Sequence, residues 1–195
     1  MTLEIDIIEV LTNTRDIFVH PKKYFAKIKN EKGKKVAFTY FAAISLIGNA
    51  IGSLSLFLVL PWLATFIPQL DYSFFSLSDM PNILLYTVVA YALGLVGSFF
   101  YAGFLTVLLK LFTKSPKFDK TYRLYVYSWV PNLLLGWLPQ LSFFAFLYSV
   151  YLMSLGLKSI YELNSKKTII FIVLLLVISA IINDLLNTLS INTSI

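Results

Sequence analysis

The chain has 195 residues, 58% of them hydrophobic and 13% charged, with sixteen Lys and Arg against ten Asp and Glu and no cysteine. A soluble domain is roughly 45–50% apolar and about 25% charged, so this composition belongs to a membrane protein. The missing cysteine excludes disulfides, thiol nucleophiles and cysteine-ligated metals, and a lone histidine, His20, cannot make a multi-histidine metal site.

The N-terminus, MTLEIDIIEVLTNTRDIF, has acids where a secretory signal carries bases ahead of an apolar core, so no cleaved leader is expected. Leu3, Ile7, Val10 or Leu11 and Phe18 recur at helical spacing, with Glu4, Glu9, Asn13 and Asp16 between them. That pattern predicts an amphipathic helix. Pro21 then opens a short basic piece, PKKYFAKIK, where Lys22 and Lys23 precede Tyr24 and Phe25. Aromatic residues among lysines suit an anionic inner leaflet, or serve simply to orient the chain. Residues 1–35 are therefore read as a cytoplasmic amphipathic and basic segment, and residues 36–195 as a transmembrane domain.

Three charge-free stretches follow, Val36 to Leu70, Met80 to Leu109 and Leu124 to Leu157, with a shorter apolar run from Thr168 to Asn183. A transmembrane helix needs only about 20 residues. Every Lys and Arg lies in residues 1–35, Lys110 to Arg123 or Lys158 to Lys167, in groups of eight, five and three. Short basic loops stay in the cytoplasm, so all three segments are assigned there. Residues 124–157 begin and end on that side and must cross an even number of times. A single helix of that length would measure about 50 Å, well over the roughly 30 Å hydrocarbon core. Two helices fit if Pro139 makes the turn beside Gly136 and Gln140, and if Arg123 and Lys158 extend toward the headgroups. A re-entrant hairpin satisfies the same parity.

The expected architecture is all-α: a polytopic integral membrane protein of five transmembrane helices at about 36–60, 82–109, 122–138, 141–160 and 168–186. Its N-terminus is cytoplasmic and its C-terminus outside, with Pro61 ending the first span ahead of an aromatic outer loop. Pro131 falls inside the third helix, where it removes a backbone donor and predicts a kink. Ala90, Gly94, Ser98, Ala102 and Thr106 recur every fourth residue, and Gly48, Asn49 and Gly52 offer a similar surface on the first span. Small residues allow close helix approach in lipid, so these are read as one seam between neighbours, with a homodimer contact as the alternative. Lys22, Lys23, Lys114, Lys117, Lys120 and Arg123 are candidates to face lipid or a partner.

No charged residue is expected at mid-membrane, no serine has an acid or histidine partner in a recognisable motif, and no Gly-rich phosphate loop is present. The reading is of a non-enzymatic protein with no cofactor and no metal. Its partners are membrane lipids, with other membrane proteins or a second copy also open, and nucleic acid is excluded because the bases are spread over membrane-proximal loops. The triplet Asn192, Thr193, Ser194 matches a glycosylation acceptor.

The segments HPKKYF, GLVGSFFYAGFLTVLLKLF, KFDKTYRLYVYSWVPNLLLGWLP and LGLKSIYELNSKKTIIF, in that order, resemble the Yip family of multi-spanning proteins, named for interaction with Ypt and Rab GTPases. The resemblance covers nearly the whole length. Where many relatives carry a glycine pair before the third helix, this chain has Thr113, Lys114, Ser115 and Pro116. The resemblance implies five transmembrane helices and a cytoplasmic N-terminus. For eukaryotic members it implies roles in vesicle traffic and binding of prenylated GTPases or partner Yip proteins. The Lys- and Ile-rich composition and the short N-terminal segment point instead to a prokaryotic cell membrane, and to a protein that organises partners or lipids. A small transporter, channel or lipid-moving protein is the alternative.

Overall fold

The structure, a computed structural model, describes residues 7–31, 33–58 and 80–192. Seven helices account for most of them: α1 Ile7–Val19, α2 Pro21–Ile28, α3 Lys35–Leu58, α4 Met80–Leu109, α5 Phe118–Leu135, α6 Pro139–Ile160 and α7 Ser165–Asn192. There is no strand among the described residues. Leu3, Pro61, the expected outer loop and the last two residues of the glycosylation triplet lie outside them.

Four helices, α3, α4, α6 and α7, are long and apolar enough to cross a membrane. They turn large apolar side chains outward, among them Leu46, Leu84, Phe100, Phe143 and Ile169. Water would penalise such a surface and lipid does not. The helix expected at 122–138 is different. It starts at Phe118, carries Asp119, Lys120 and Arg123 in its first two turns, and buries every residue from Thr121 to Ser128. It is the centre of the bundle: α3, α4 and α6 all pack on it, and α7 lies outside against α6. A helix enclosed by protein needs no lipophilic surface, which is why its composition falls short of a lipid-facing span.

The hairpin at Pro139 forms as expected. The Gly136 amide bonds to the Asn132 carbonyl at 2.9 Å, Leu138 is extended, and Pro139 opens α6 at a position where its missing N–H costs nothing. Pro131 is buried inside α5, which continues to Leu135. At the other end of α6 the amides of Tyr161 and Leu163 both reach the Leu157 carbonyl, closing the helix. The residue between them, Glu162, sits at φ 55, a left-handed conformation that favours glycine. The last helix runs past Asp184 to Asn192 because a polar residue does not end a helix and neither glycine nor proline follows.

Two expectations are corrected. The proposed single seam of small residues divides between different neighbours. Gly48 lies directly on the Leu133 carbonyl of α5, and a Cβ on Gly52 would touch the Trp137 side chain at 3.4 Å. On α4, Ser98 and Ala102 are buried, but Ala90 and Gly94 are exposed. The α3–α4 contact is made instead by a Ser53–Thr87 hydroxyl pair at 2.8 Å, by the Tyr91 hydroxyl donating to the Ala42 carbonyl at 3.2 Å, and by Phe38 against Phe99. Spacing identified residues that share a helix face; it could not say which neighbour that face meets. The second correction concerns α1, whose buried stripe is Val10, Asn13 and Ile17, while Ile7 and Leu11 are exposed. The reason is that α1 packs into the bundle beside α2 and α3 and does not present its most apolar face to it.

Gly48 gives a direct test of this packing. Gly48→Ala places a methyl group against the backbone of α5 and should cost about 1–3 kcal/mol, whereas Gly94→Ala, with nothing within 4 Å, should be neutral or gain up to about 1 kcal/mol from helix propensity. Thermal unfolding of both variants in one detergent separates them; equal midpoints would contradict the α3–α5 contact.

Candidate functional site

The three basic connections meet at one end of the bundle. Lys34 places its ammonium 5.2 Å from the Phe118 ring and 5.6 Å from Phe99, linking the start of α3 to α4 and α5. The Tyr161 hydroxyl shares a 2.6 Å hydrogen bond with Thr121 and donates to the Lys117 carbonyl at 3.2 Å, tying the α6–α7 connection to the start of α5. Lys29 pairs with Glu162 at 2.6 Å. Both partners of that ion pair face solvent, so it fixes position more than it stabilises.

Beneath this end the tyrosines of α5 point in three directions, as residues 100° apart on a helix must. Tyr122 stacks on Phe99 with ring centres 4.9 Å apart, and its hydroxyl lies 3.1 Å from Ser98. Tyr125 meets Tyr101 at 4.8 Å and Phe41 at 6.0 Å. Tyr127 meets Tyr24 of α2 at 5.2 Å and Tyr40 of α3 at 5.3 Å. Offset and edge-on aromatic pairs contribute about 0.5–1.5 kcal/mol each beyond burial, so this helix is the organising surface for three others.

The N-terminal helices dock on that surface. Phe25 is fully buried against Gly156 of α6, where an added Cβ would come within 2.9 Å of its ring and would also strike Leu124. Tyr40 shares a 2.8 Å hydrogen bond with Thr14 of α1, and the Tyr148 hydroxyl of α6 donates to the Phe18 carbonyl at 3.0 Å while the two rings stack. Residues 7–28 thus share one hydrophobic core with the spans. The clue in the sequence was PKKYFAKI, whose Tyr24, Phe25 and Ile28 form one apolar face.

Of the candidate basic residues, Lys22, Lys23, Lys114 and Lys117 are exposed and Lys120 is half-buried. Arg123 corrects the expectation that its head extends to the headgroups. It is 3% exposed, and its Nε and Nη1 have no hydrogen-bond partner among the described residues. Glu31 Oε2, within the α2–α3 connection, is likewise buried without a partner among the described residues. The one ion pair within 4.0 Å among the described residues is Lys29–Glu162, so Arg123 and Glu31 act on each other through a gap. Groups of this kind are ordinarily met by ordered water. Asn49 lies apart from this site, donating to the Ser45 carbonyl at 2.8 Å. Among the described residues no three of His, Asp and Glu come together to hold a metal.

A family model described as the Yip1 domain matches residues 15–183, which takes in the end of α1, all of α2 to α6 and most of α7. The chain belongs to the Yip1 domain family. Neither a curated protein nor a solved structure matches it. Of the segments that carry the resemblance, HPKKYF, YRLYVYSWVP and the Gly156–Leu157 pair of this Yip1 domain contribute to the junction, while GLVGSFFYAGFLTVLLKLF runs along α4 and just past its end.

The two carboxylates at this end respond oppositely to pH. Burial pushes the Glu31 carboxyl above its ordinary range, with Glu9 adding to the shift and Arg123 and Lys27 opposing it. The Lys29 hydrogen bond and charge hold Glu162 below its ordinary range. A raised carboxylate means the folded state binds the extra proton first, so stability increases as pH falls through the Glu31 value. The contribution of Glu162 is present above its unfolded value and is lost only as pH falls further. Protection of residues 21–31 against hydrogen exchange, taken relative to the intrinsic exchange rate at each pH, should therefore rise on mild acidification and fall again at lower pH. Glu31→Gln should remove the rise and leave the later fall; a rise in protection that persists in the variant would contradict the assignment.

Proposed function

We propose that this protein is a non-enzymatic membrane organiser that gathers lipids or partner proteins at its basic end, crossing a prokaryotic cell membrane five times with its N-terminus inside and its C-terminus outside. The observation that carries the reading is the junction at the basic end. Three loops and two short helices converge there on a rigid tyrosine-rich helix, and four lysines stand clear of it. Exposed Ile7, Ile8 and Leu11 on α1 add apolar surface beside that charge, a combination suited to an anionic leaflet or to an acidic partner. Counting α5 as the fifth crossing is supported by its enclosure, since a helix shielded by α3, α4 and α6 meets little lipid. The convergence of the three basic connections agrees with placing them in one compartment.

A second reading, movement of a lipid or solute, draws on a polar cleft beside Asn49. Against a continuous path, the α3–α5 interface is closed at Ser45, Tyr127 and Ser128, all buried.

Extraction of native membrane patches tests the proposal. Patches around the wild-type chain should be enriched in anionic lipid or carry a copurifying protein. Combined Lys22→Gln, Lys23→Gln, Lys114→Gln and Lys117→Gln should reduce that enrichment at least about fivefold, since each exposed Lys contributes about 1 kcal/mol near an anionic surface. Single cysteines at Ser115 and Ser165 in the same preparation should label from one side of the membrane. Bulk lipid composition with no partner, or labelling from opposite sides, would contradict the reading.

A further inference from the structure

Away from the basic end, an open cleft of about 340 Å³ lies beside the contact of α3 with α5. Its polar lining is Asn49, Ser53, Ser55 and Asn132, and its floor is the close contact of Gly48 with the Leu133 carbonyl of α5 and of Gly52 with Trp137 in the turn that follows. A helix rises about 1.5 Å per residue, so Asn49 lies about 21 Å along α3 from Lys35. In a hydrocarbon layer about 30 Å thick, that is the half remote from the basic end. The cleft is unlike the larger cavity of about 600 Å³ on the other side of α5, whose walls include Phe18, Pro131, Phe144 and Tyr148 and are almost wholly apolar.

Hydrogen-bond capacity in the cleft is only partly used. Ser53 shares its hydroxyl with Thr87, Ser55 donates to the Gly52 carbonyl at 2.7 Å, and Asn49 spends one N–H on Ser45. That leaves the Asn49 carbonyl and second N–H. The Asn132 side chain makes no hydrogen bond among the described residues. Two amides on facing helices, both open to the same cleft, are costly to leave unmet within lipid. Among the described residues no Lys, Arg, His, Asp or Glu lines the cleft.

We propose that this cleft binds the uncharged, hydroxyl-bearing headgroup of a membrane lipid. A hydroxyl donates one proton and accepts others, and a carboxamide does both, so Asn132 and Asn49 can each complete such a group. The absence of charge selects against phosphate headgroups, which would lose their hydration with no cation to replace it. The inference stands on the cleft alone and does not depend on what the basic end recruits.

The test uses the full chain in nanodiscs of neutral lipid doped with a diazirine-bearing diacylglycerol. Crosslinks are mapped by mass spectrometry. Labelling should concentrate in residues 45–55 and 129–137. It should fall about tenfold when the probe's hydroxyl is capped as a methyl ether, the loss expected from removing well-placed hydrogen bonds. The same fall is expected with uncapped probe on Asn132→Leu, and the capped probe on wild-type protein decides the matter if that variant does not fold. A phosphatidic acid probe should label these segments no more than it labels the exposed face of α7. Equal labelling by capped and uncapped probes, preference for the phosphate probe, or a cleft that takes only water and no label would each overturn the proposal.

Discussion

A helix bearing Asp119, Lys120, Arg123 and three tyrosines can lie among apolar helices only where protein, not lipid, surrounds it. That constraint organises the molecule. α5 is too polar to face hydrocarbon, so α3, α4 and α6 enclose it, and α2 fills the place between α3 and α6 near its start. The enclosing helices then turn their own aliphatic faces outward, where lipid receives them at no cost. The result reverses the distribution of a soluble protein: Thr121, Arg123 and Ser128 are inside, while Leu93, Phe100 and Ile169 are outside.

The N-terminal helices follow from the same requirement. Without α2, the ring of Tyr127 and the guanidinium of Arg123 would open to the membrane interface. With it, Tyr24 and Phe25 close that side, and Gly156 provides the space that lets them do so. The remaining polar atoms, Arg123 Nε and Nη1 on α5 and Glu31 Oε2 in the α2–α3 connection, are buried without a hydrogen-bond partner among the described residues. This gives the basic end a rigid floor under an exposed charged rim, the arrangement on which recruitment of lipids or partners would rely. Toward the far end, polar groups beside the Gly48 contact line a cleft that α2 does not reach.

Much of this architecture was legible in the sequence because bases mark the ends of spans and proline marks the reversal. The α5–α6 hairpin at Pro139 and the common end of the three basic loops followed from those two signals. Helix faces were harder to read. In a soluble protein an apolar stripe identifies the buried side, but here both the lipid-facing and the protein-facing sides are apolar, and periodicity fades. Gly48 and Ala90 looked like equals in spacing, yet one touches a backbone carbonyl and the other is exposed. Arg123 was misplaced for a related reason: its position near a span's end argued for the headgroups, and only the packing of α2 and α6 shows that this depth is enclosed. The α1 stripe misled because Asn13, a polar residue, takes a buried place beside Val10 and Ile17.

The enclosure of α5 is the claim from which the rest follows, and a membrane-confined carbene reagent measures it without any substitution. The account predicts heavy labelling at outward positions such as Phe100, Phe143 and Ile169, and none above background from Tyr122 to Tyr127. Labelling of that tyrosine run to the level of α7 would contradict it.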